Sequence, residues 1–429
     1  MSNRPPGARP GADPTVPFRR APWPEAPRPR RRWASGLRVA VAVLSAVVLL
    51  TSGYAWSVLR QVTGGLGTGS SLAATASPDG ATDVLLIGLD SRTDAHGDPL
   101  PREVLDRLDA GDDSGTVNTD TIMLLRVPNS PGRPATVVSI PRDSYVPIPG
   151  FGTHKINSAY ARAAGQARSQ LTAQGVTGSA LERRVDEAGR TELAATVADL
   201  TGVAVDHYAE VNLAGFAQVT EAVGGVPVCL NAPVHDTYSG ADFPAGEQML
   251  QGPAALSFVR QRHGLPRGDL DRIVRQQAFL GSLARQVLDA GTLLDPAELG
   301  RISDAVGRAV VVDQGWDLVG FGVQAAGTTG GDIAFGTIPT VRDDLRTRGD
   351  GTAVEVDPEA VRGYVAGLVD GPAADTAADT AGPGAAAPDA TRPAAVDTPV
   401  APAAFATGPG SPAPARAPAQ PPSALPCVN

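Results

Sequence analysis

Residues 39–59, VAVAVLSAVVLLTSGYAWSVL, run for 21 positions without a charge. As a helix rising 1.5 Å per residue, such a run matches the roughly 30 Å hydrocarbon core of a bilayer, and this limits what the rest of the chain can be. Arg4, Arg9, Arg19, Arg20, Arg28, Arg30, Arg31 and Arg32 precede it, against only Asp13 and Glu25. An arginine excess on that side keeps the N-terminus in the cytoplasm. The expected order is a disordered basic tail (1–36), a transmembrane helix (37–60) and an exported remainder at the cell membrane. A cleaved signal peptide is the rival reading, with Ala74-Thr75-Ala76 as a cleavage-like site, but that site stands far from the apolar run. Either way the remainder is extracytoplasmic.

Residues 61–80 read as a flexible linker, and the stretch 64–80 (GGLGTGSSLAATASPDG) reaches roughly 20–25 Å as random coil, keeping the folded part near the membrane. Residues 81–370 are long enough for one large core. Residues 371–429 are dominated by Ala, Pro, Thr, Gly and Asp. They cannot fold alone and read as a disordered tail ending in Cys427. The only other cysteine is Cys229. In an oxidising compartment the two are an expected pair, which constrains the unfolded chain by roughly 4–5 kcal/mol on the entropic model. A buried free Cys229 and an intermolecular Cys427 bridge are the alternatives.

Three short runs rich in Val, Ile and Leu open the folded part: 83–89 (DVLLIGL), 121–127 (TIMLLRV) and 135–140 (ATVVSI). Bounded by Gly, Pro and Asp, they read as buried strands. The turn residues Pro128-Asn129-Ser130-Pro131-Gly132-Arg133-Pro134 predict an antiparallel hairpin between the second and third. If the first strand runs parallel to the third, Asp90, Asp120 and Arg142 all reach one edge of the sheet. Two carboxylates in one cleft either raise a pKa or hold a divalent cation, while individually solvated strand-end residues are the plain alternative. No HExxH or CxxC motif offers a transition-metal site, whereas Mg²⁺ suits two carboxylates beside phosphate. Further on, 161–200 reads as helical and closed by Thr201-Gly202, 207–228 as strand, helix, turn and strand, and 333–338 (IAFGTI) as one more strand.

A dense set of guanidinium groups lies at 257–277, SFVRQRHGLPRGDLDRIVRQQ, with Arg260, Arg262, Arg267, Arg272 and Arg275 around Asp269 and Asp271. Leu265-Pro266-Arg267-Gly268 is turn chemistry, Asp269 is a candidate N-cap, and Ile273, Leu280, Leu283 and Val287 form the apolar stripe of a helix running to about 287. Arg272, Arg275 and Gln276 crowd one face near its N-terminus, where free N–H groups and the positive dipole end favour an anion. Arg260 and Arg262, alternating around Gln261, share one side if that segment is extended. Two convergent Arg sets fit a diphosphate, each guanidinium fork taking two oxygens; a solvated, salt-bridged helix face is the bland account. Lys155, in a chain whose other basic side chains are arginine, hints at a place for a compact ammonium.

In this order, LLIGLDSR, NTDTIMLL, SIPRDSY, HKINSAY, AVGGVPV and ALSFVRQRHGLPRGDLDRIVRQQAF resemble the LytR-CpsA-Psr family of cell-envelope proteins, over about 83–283. The resemblance implies an α/β fold: an α/β/α sandwich with a mixed central sheet, in a single extracytoplasmic domain with a groove for a polyprenyl tail. It implies transfer of a glycopolymer from a polyprenyl-pyrophosphate carrier to a muramic acid hydroxyl of peptidoglycan. The link is a phosphodiester, polyprenyl phosphate is released, and Mg²⁺ sits on the pyrophosphate. By position, the metal-binding aspartates match Asp90 and Asp120, and the pyrophosphate-binding residues match Arg142, Arg260, Arg262, Arg272 and Gln276. The charge pattern adds Arg92, Lys155 and Arg275 to that set.

Asp90, Arg142, Asp269 and Arg272 are the expected catalytic residues, with Asp90, Asp143 and Asp269 as candidates to deprotonate the acceptor. One departure is Asn118, where many members carry Arg; Arg92 is the candidate to take over that contact. The same residues suit a polyprenyl-pyrophosphate pyrophosphatase, or a non-catalytic polyprenyl-phosphate-binding regulator. A net charge of −9 and the lack of a basic reading helix argue against nucleic acid. The expected partners are the lipid-linked glycan, peptidoglycan and the membrane.

Overall fold

A computed structural model describes residues 67–69, 79–94, 98–108, 117–130, 133–288, 296–326, 333–370 and 426–429. The expected basic tail and transmembrane helix lie outside these, as does most of the Ala/Pro-rich tail. Among the described residues no helix is long and apolar enough to cross a membrane.

The three apolar runs are strands: β2 (Ala81–Leu89), β3 (Thr119–Pro128) and β4 (Ala135–Ser139). Their aliphatic side chains suit a pleated surface covered on both sides. β3 pairs antiparallel with both neighbours, so β2 and β4 point the same way. With β1 (Gly67–Gly69), β5 (His207–Asn212), β6 (Val310–Asp313) and β7 (Ile333–Thr337) they form a seven-stranded mixed sheet in the order β1-β6-β5-β2-β3-β4-β7.

Successive side chains of a strand face opposite ways, and here each face receives its own layer of helices. On one face Leu85, Ile87 and Leu124 meet helices α1 (Ser158–Ala173) and α2 (Ser179–Thr201) in a closed core with Tyr160, Leu193 and Val197. The single helical region expected over 161–200 is thus two helices, because Gly175 and Gly178 take positive φ between them. Gly202, left-handed at φ 76°, closes α2 as expected. On the other face lie α3 (Leu213–Ala222), α4 (Gly252–Arg260), α5 (Asp269–Leu288) and α6 (Pro296–Ala309). The Asn212 side chain accepts from Gly215 N at 2.7 Å and starts α3.

Residues 426–429 do not belong to a loose tail. Cys427 is disulfide-bonded to Cys229. Val428 bridges Leu230 in parallel, with its N–H on Cys229 O at 2.9 Å and its carbonyl accepting from Asn231 N at 2.8 Å. Its side chain is buried with Leu230, Phe243 and Phe258. Backbone pairing and burial hold this short segment where composition alone predicted disorder.

Candidate active site

The alternating strand directions bring the end of β2, the start of β3 and the end of β4 to one edge of the sheet. Asp90 follows β2, Asp120 is the second residue of β3, and Arg142 lies just past β4. The first turns of α5 reach the same edge. Asp120 Oδ1 lies 2.5 Å from Arg142 Nη1. Arg142 Nε lies 3.3 Å from Asp269 Oδ1, which also pairs with Arg272 Nη2 at 2.8 Å. Arg272 Nη2 donates to the Asp120 carbonyl at 3.1 Å, which closes the ring. Asp269, read as an N-cap, is the first residue of α5, and its carboxylate engages two guanidinium groups.

Burial opposes charge on both arginines. At Arg142 the carboxylates of Asp120, Asp269 and Asp143 outweigh it and raise the pKa. At Arg272 burial prevails, with Asp269 opposing it and Arg142 adding to it, and the pKa falls. A further anion beside Arg272 would favour its charged form. Asp90 is raised, first by burial and then by Asp120, against the pull of Arg260, Arg92 and Arg142.

Asp90 Oδ1 is buried without a hydrogen-bond partner. Such an oxygen beside a second carboxylate fits a divalent cation whose other ligands come from phosphate and water. Among the described residues no group of three or more His, Cys, Asp or Glu could hold a metal, so an all-protein cage is not offered. Mg²⁺, which needs only one or two carboxylates beside phosphate, suits the pair.

Behind this charged edge lies a cavity of about 280 Å³ between the sheet and α3, α4 and α5. Leu86, Met123, Ala209 and Val211 floor it, while Phe216, Val219, Leu256, Leu280 and Leu283 line its helical side. Asp90, Asp120, Arg260, Arg272 and Gln276 line it as well, so apolar and charged walls share one space. Gln276 Nε2 donates to Thr121 Oγ1 at 3.0 Å and Val259 O at 3.3 Å, joining α5 to the sheet and to α4.

The other expected residues divide. Arg260 lines the cavity, but as the last residue of α4 rather than part of an extended segment; helix continues to it and breaks at Gln261. Arg262 is exposed and its charge bears on Arg272. Arg92 bears on Asp90, while the Asn118 carbonyl accepts from Asp90 N at 3.1 Å. Lys155 pairs with Asp143 at 3.1 Å and so stands one residue removed from Arg142.

Arg275 turns away from the cavity. It is completely buried, its Nη1 on Gln261 Oε1 and its Nε on the Asn429 carbonyl, with its guanidinium 5.1 Å from the Phe258 ring centre. The cavity lining itself was missed in sequence, because apolar side chains around a void have the same periodicity as those in a filled core.

The LytR_cpsA_psr family model matches residues 61–356. The cell wall biosynthesis protein LcpA of Corynebacterium glutamicum is 51% identical over 314 residues, 72% of this chain and 60% of that protein. The polyisoprenyl-teichoic acid–peptidoglycan teichoic acid transferase TagU of Oceanobacillus iheyensis is 30% identical over 303 residues, 67% of this chain and 79% of that protein. The chain thus spans three fifths of the length of the LcpA relative. Among solved structures, TagV of B. subtilis aligns at TM-score 0.48 and 21% identity, over 69% of this chain and 99% of that one.

Proposed function

The chain belongs to the LytR-CpsA-Psr family, and on that premise we propose that it is a membrane-anchored, extracytoplasmic phosphotransferase. It moves a glycopolymer from a polyprenyl-pyrophosphate carrier onto a peptidoglycan muramic acid hydroxyl. The observation that carries the reading is the joint lining of one cavity by Arg260, Arg272, Asp90 and Asp120 on one side and by Leu and Phe side chains on the other. A diphosphate ester of a long apolar alcohol has the same two halves.

In this reading the acceptor oxygen attacks the phosphorus that bears the glycan, the bond from that phosphorus to the bridging oxygen breaks, and polyprenyl phosphate leaves. Arg142 and Arg272 bind the terminal and bridging oxygens and neutralise the charge that develops on them. Asp143 is paired with Lys155, and Asp269 with two arginines. Of the three candidate bases, Asp90 combines a buried oxygen without a hydrogen-bond partner with no ion pair to an arginine or lysine at such short range, which supports it as the group that takes the hydroxyl proton. Asp90 and Asp120 are the residues that would hold Mg²⁺, which when bound supplies further positive charge beside the phosphates. The apolar cavity binds the tail and fixes the position of the diphosphate.

The test uses the full chain in detergent micelles with Mg²⁺, a polyprenyl-pyrophosphate glycan and a peptidoglycan fragment, beside Arg272→Ala. The fragment should gain a phosphoglycan with the native chain and not with the variant. Polyprenyl phosphate without a modified fragment would instead identify a pyrophosphatase.

A further inference from the structure

Tyr238 is 78% exposed, the highest value among the large apolar side chains at described positions. It is nonetheless held in place. Its ring lies against His263, centroids 4.2 Å apart and planes inclined by 32°. Asp236, itself buried, accepts from Tyr238 N at 3.0 Å and from Ser239 Oγ at 2.8 Å, which fixes the turn that carries Tyr238. Gln261, also buried, donates to the His263 carbonyl at 3.1 Å. Behind both stands Arg275, bonded to Gln261 and attracted by Asp236. Arg275 thus holds the Gln261 segment, Asp236 holds the turn of Tyr238, and the two segments together present one exposed aromatic face.

A single exposed apolar side chain is ordinary on a protein surface; what distinguishes Tyr238 is that its ring is stacked on His263 and its backbone N–H is bonded to a buried carboxylate. A ring already immobile loses little entropy on binding, and its negative face attracts the partly positive C–H edges of a sugar. The location suits that ligand: His263 follows Arg262, in the loop between α4 and the Asp269–Arg272 turn of α5.

We propose that Tyr238, backed by His263, is a platform on which a pyranose ring stacks beside the loop that carries Arg262. This rests on the proposed glycan transfer. The ring belongs either to the glycan being moved or to the peptidoglycan acceptor.

Tyr238→Leu and Tyr238→Phe separate the ring from its hydroxyl and from general apolarity. With the full chain, KM is measured for a polyprenyl-pyrophosphate donor bearing one sugar or several, and for the peptidoglycan fragment. Loss of the ring should raise one KM by roughly three- to tenfold, and Tyr238→Phe should restore it. A rise confined to the multi-sugar donor assigns the platform to the moved glycan, and a rise for the fragment assigns it to the acceptor. If native and Leu chains turn over with the same KM values, the platform does not exist.

Should the native chain show no transfer, saturation-transfer NMR with a soluble hexose oligosaccharide and a muramic-acid disaccharide decides separately. A sugar signal that vanishes with Tyr238→Leu and persists with Tyr238→Phe supports the platform, and an equal or absent signal with all three chains overturns it.

Discussion

On one face of the sheet Leu85, Ile87 and Leu124 meet Tyr160, Leu193 and Val197 in a closed core; on the other, Leu86, Met123 and Ala209 look across about 280 Å³ to Phe216, Leu280 and Leu283. Both faces are aliphatic, so hydrophobicity does not separate them. On the open face the floor includes the small Gly88 and Ala209. The aromatic rings opposite pack along the helical layer: Phe216 on Phe279 at 5.3 Å, Phe258 on Phe279 at 6.1 Å and Phe243 on Phe258 at 6.2 Å. Small residues below and laterally packed rings above leave room between the layers. Apolar voids destabilise by about 24 cal/mol per Å³, so a sealed void of this size would cost several kcal/mol. This cavity is not sealed but opens at the arginine edge, and in the proposed reading an apolar tail fills it.

The comparison breaks most sharply under truncation. Leu193→Ala on the closed face should lower unfolding stability by about 3–5 kcal/mol, read by urea titration, while transfer per folded molecule stays at the native level. Arg272→Ala, on the charged edge, should lower the transfer rate by about 10²–10³-fold, roughly 3–4 kcal/mol at the transition state. If Leu193→Ala also abolished transfer in the folded fraction, the two faces would not be functionally separate.

Filling the open face is a finer probe. Ala209→Leu puts a branched side chain into the cavity without touching the arginines. Its Tm should hold or rise, and KM for a long-chain polyprenyl donor should increase about tenfold, the equivalent of one or two displaced methylenes. A short-chain donor, too small to reach Ala209, should bind as before. Equal loss for both chain lengths would mean that the tail lies elsewhere.

Much of this arrangement was legible in particular residues. The turn chemistry at 128–134 set the relative directions of β3 and β4, and with them the meeting of Asp90, Asp120 and Arg142. The stripe from Ile273 to Val287 gave α5, which runs Asp269–Leu288. Arg275 was not legible. It sits three residues beyond Arg272 on the same helix, and its orientation is set by Asn429, 154 positions away, which no local pattern reports. Arg260 was misplaced because its alternation with Arg262 imitates a strand, while the preceding GPAALSFV packs as helix and carries Arg260 with it. As for the cavity, periodicity says which side chains face inward but not whether anything meets them.

The closed face also carries charge, and this gives the smallest of the expected effects. Arg190 pairs with Glu210 at 2.8 and 3.1 Å, and Asp186 lies 4.0 Å away. Burial, then the Glu210 charge, lifts the Asp186 carboxyl to about 6, although Arg190 draws it down. A carboxyl raised above its unfolded value near 4 is bound to its proton more tightly in the folded state. Its contribution to stability is full below pH 4 and is lost as pH rises through 6. Asp186→Asn keeps the shape and removes the titration. It should therefore flatten the stability profile between pH 4 and 7 by on the order of 1 kcal/mol, seen as a smaller fall of Tm across that window. The same substitution should leave KM for the long-chain donor unmoved, because Asp186 lies on the face away from the cavity. A native profile that falls from pH 4 to 7 and falls equally in Asp186→Asn would show that this carboxyl is not the group that titrates there.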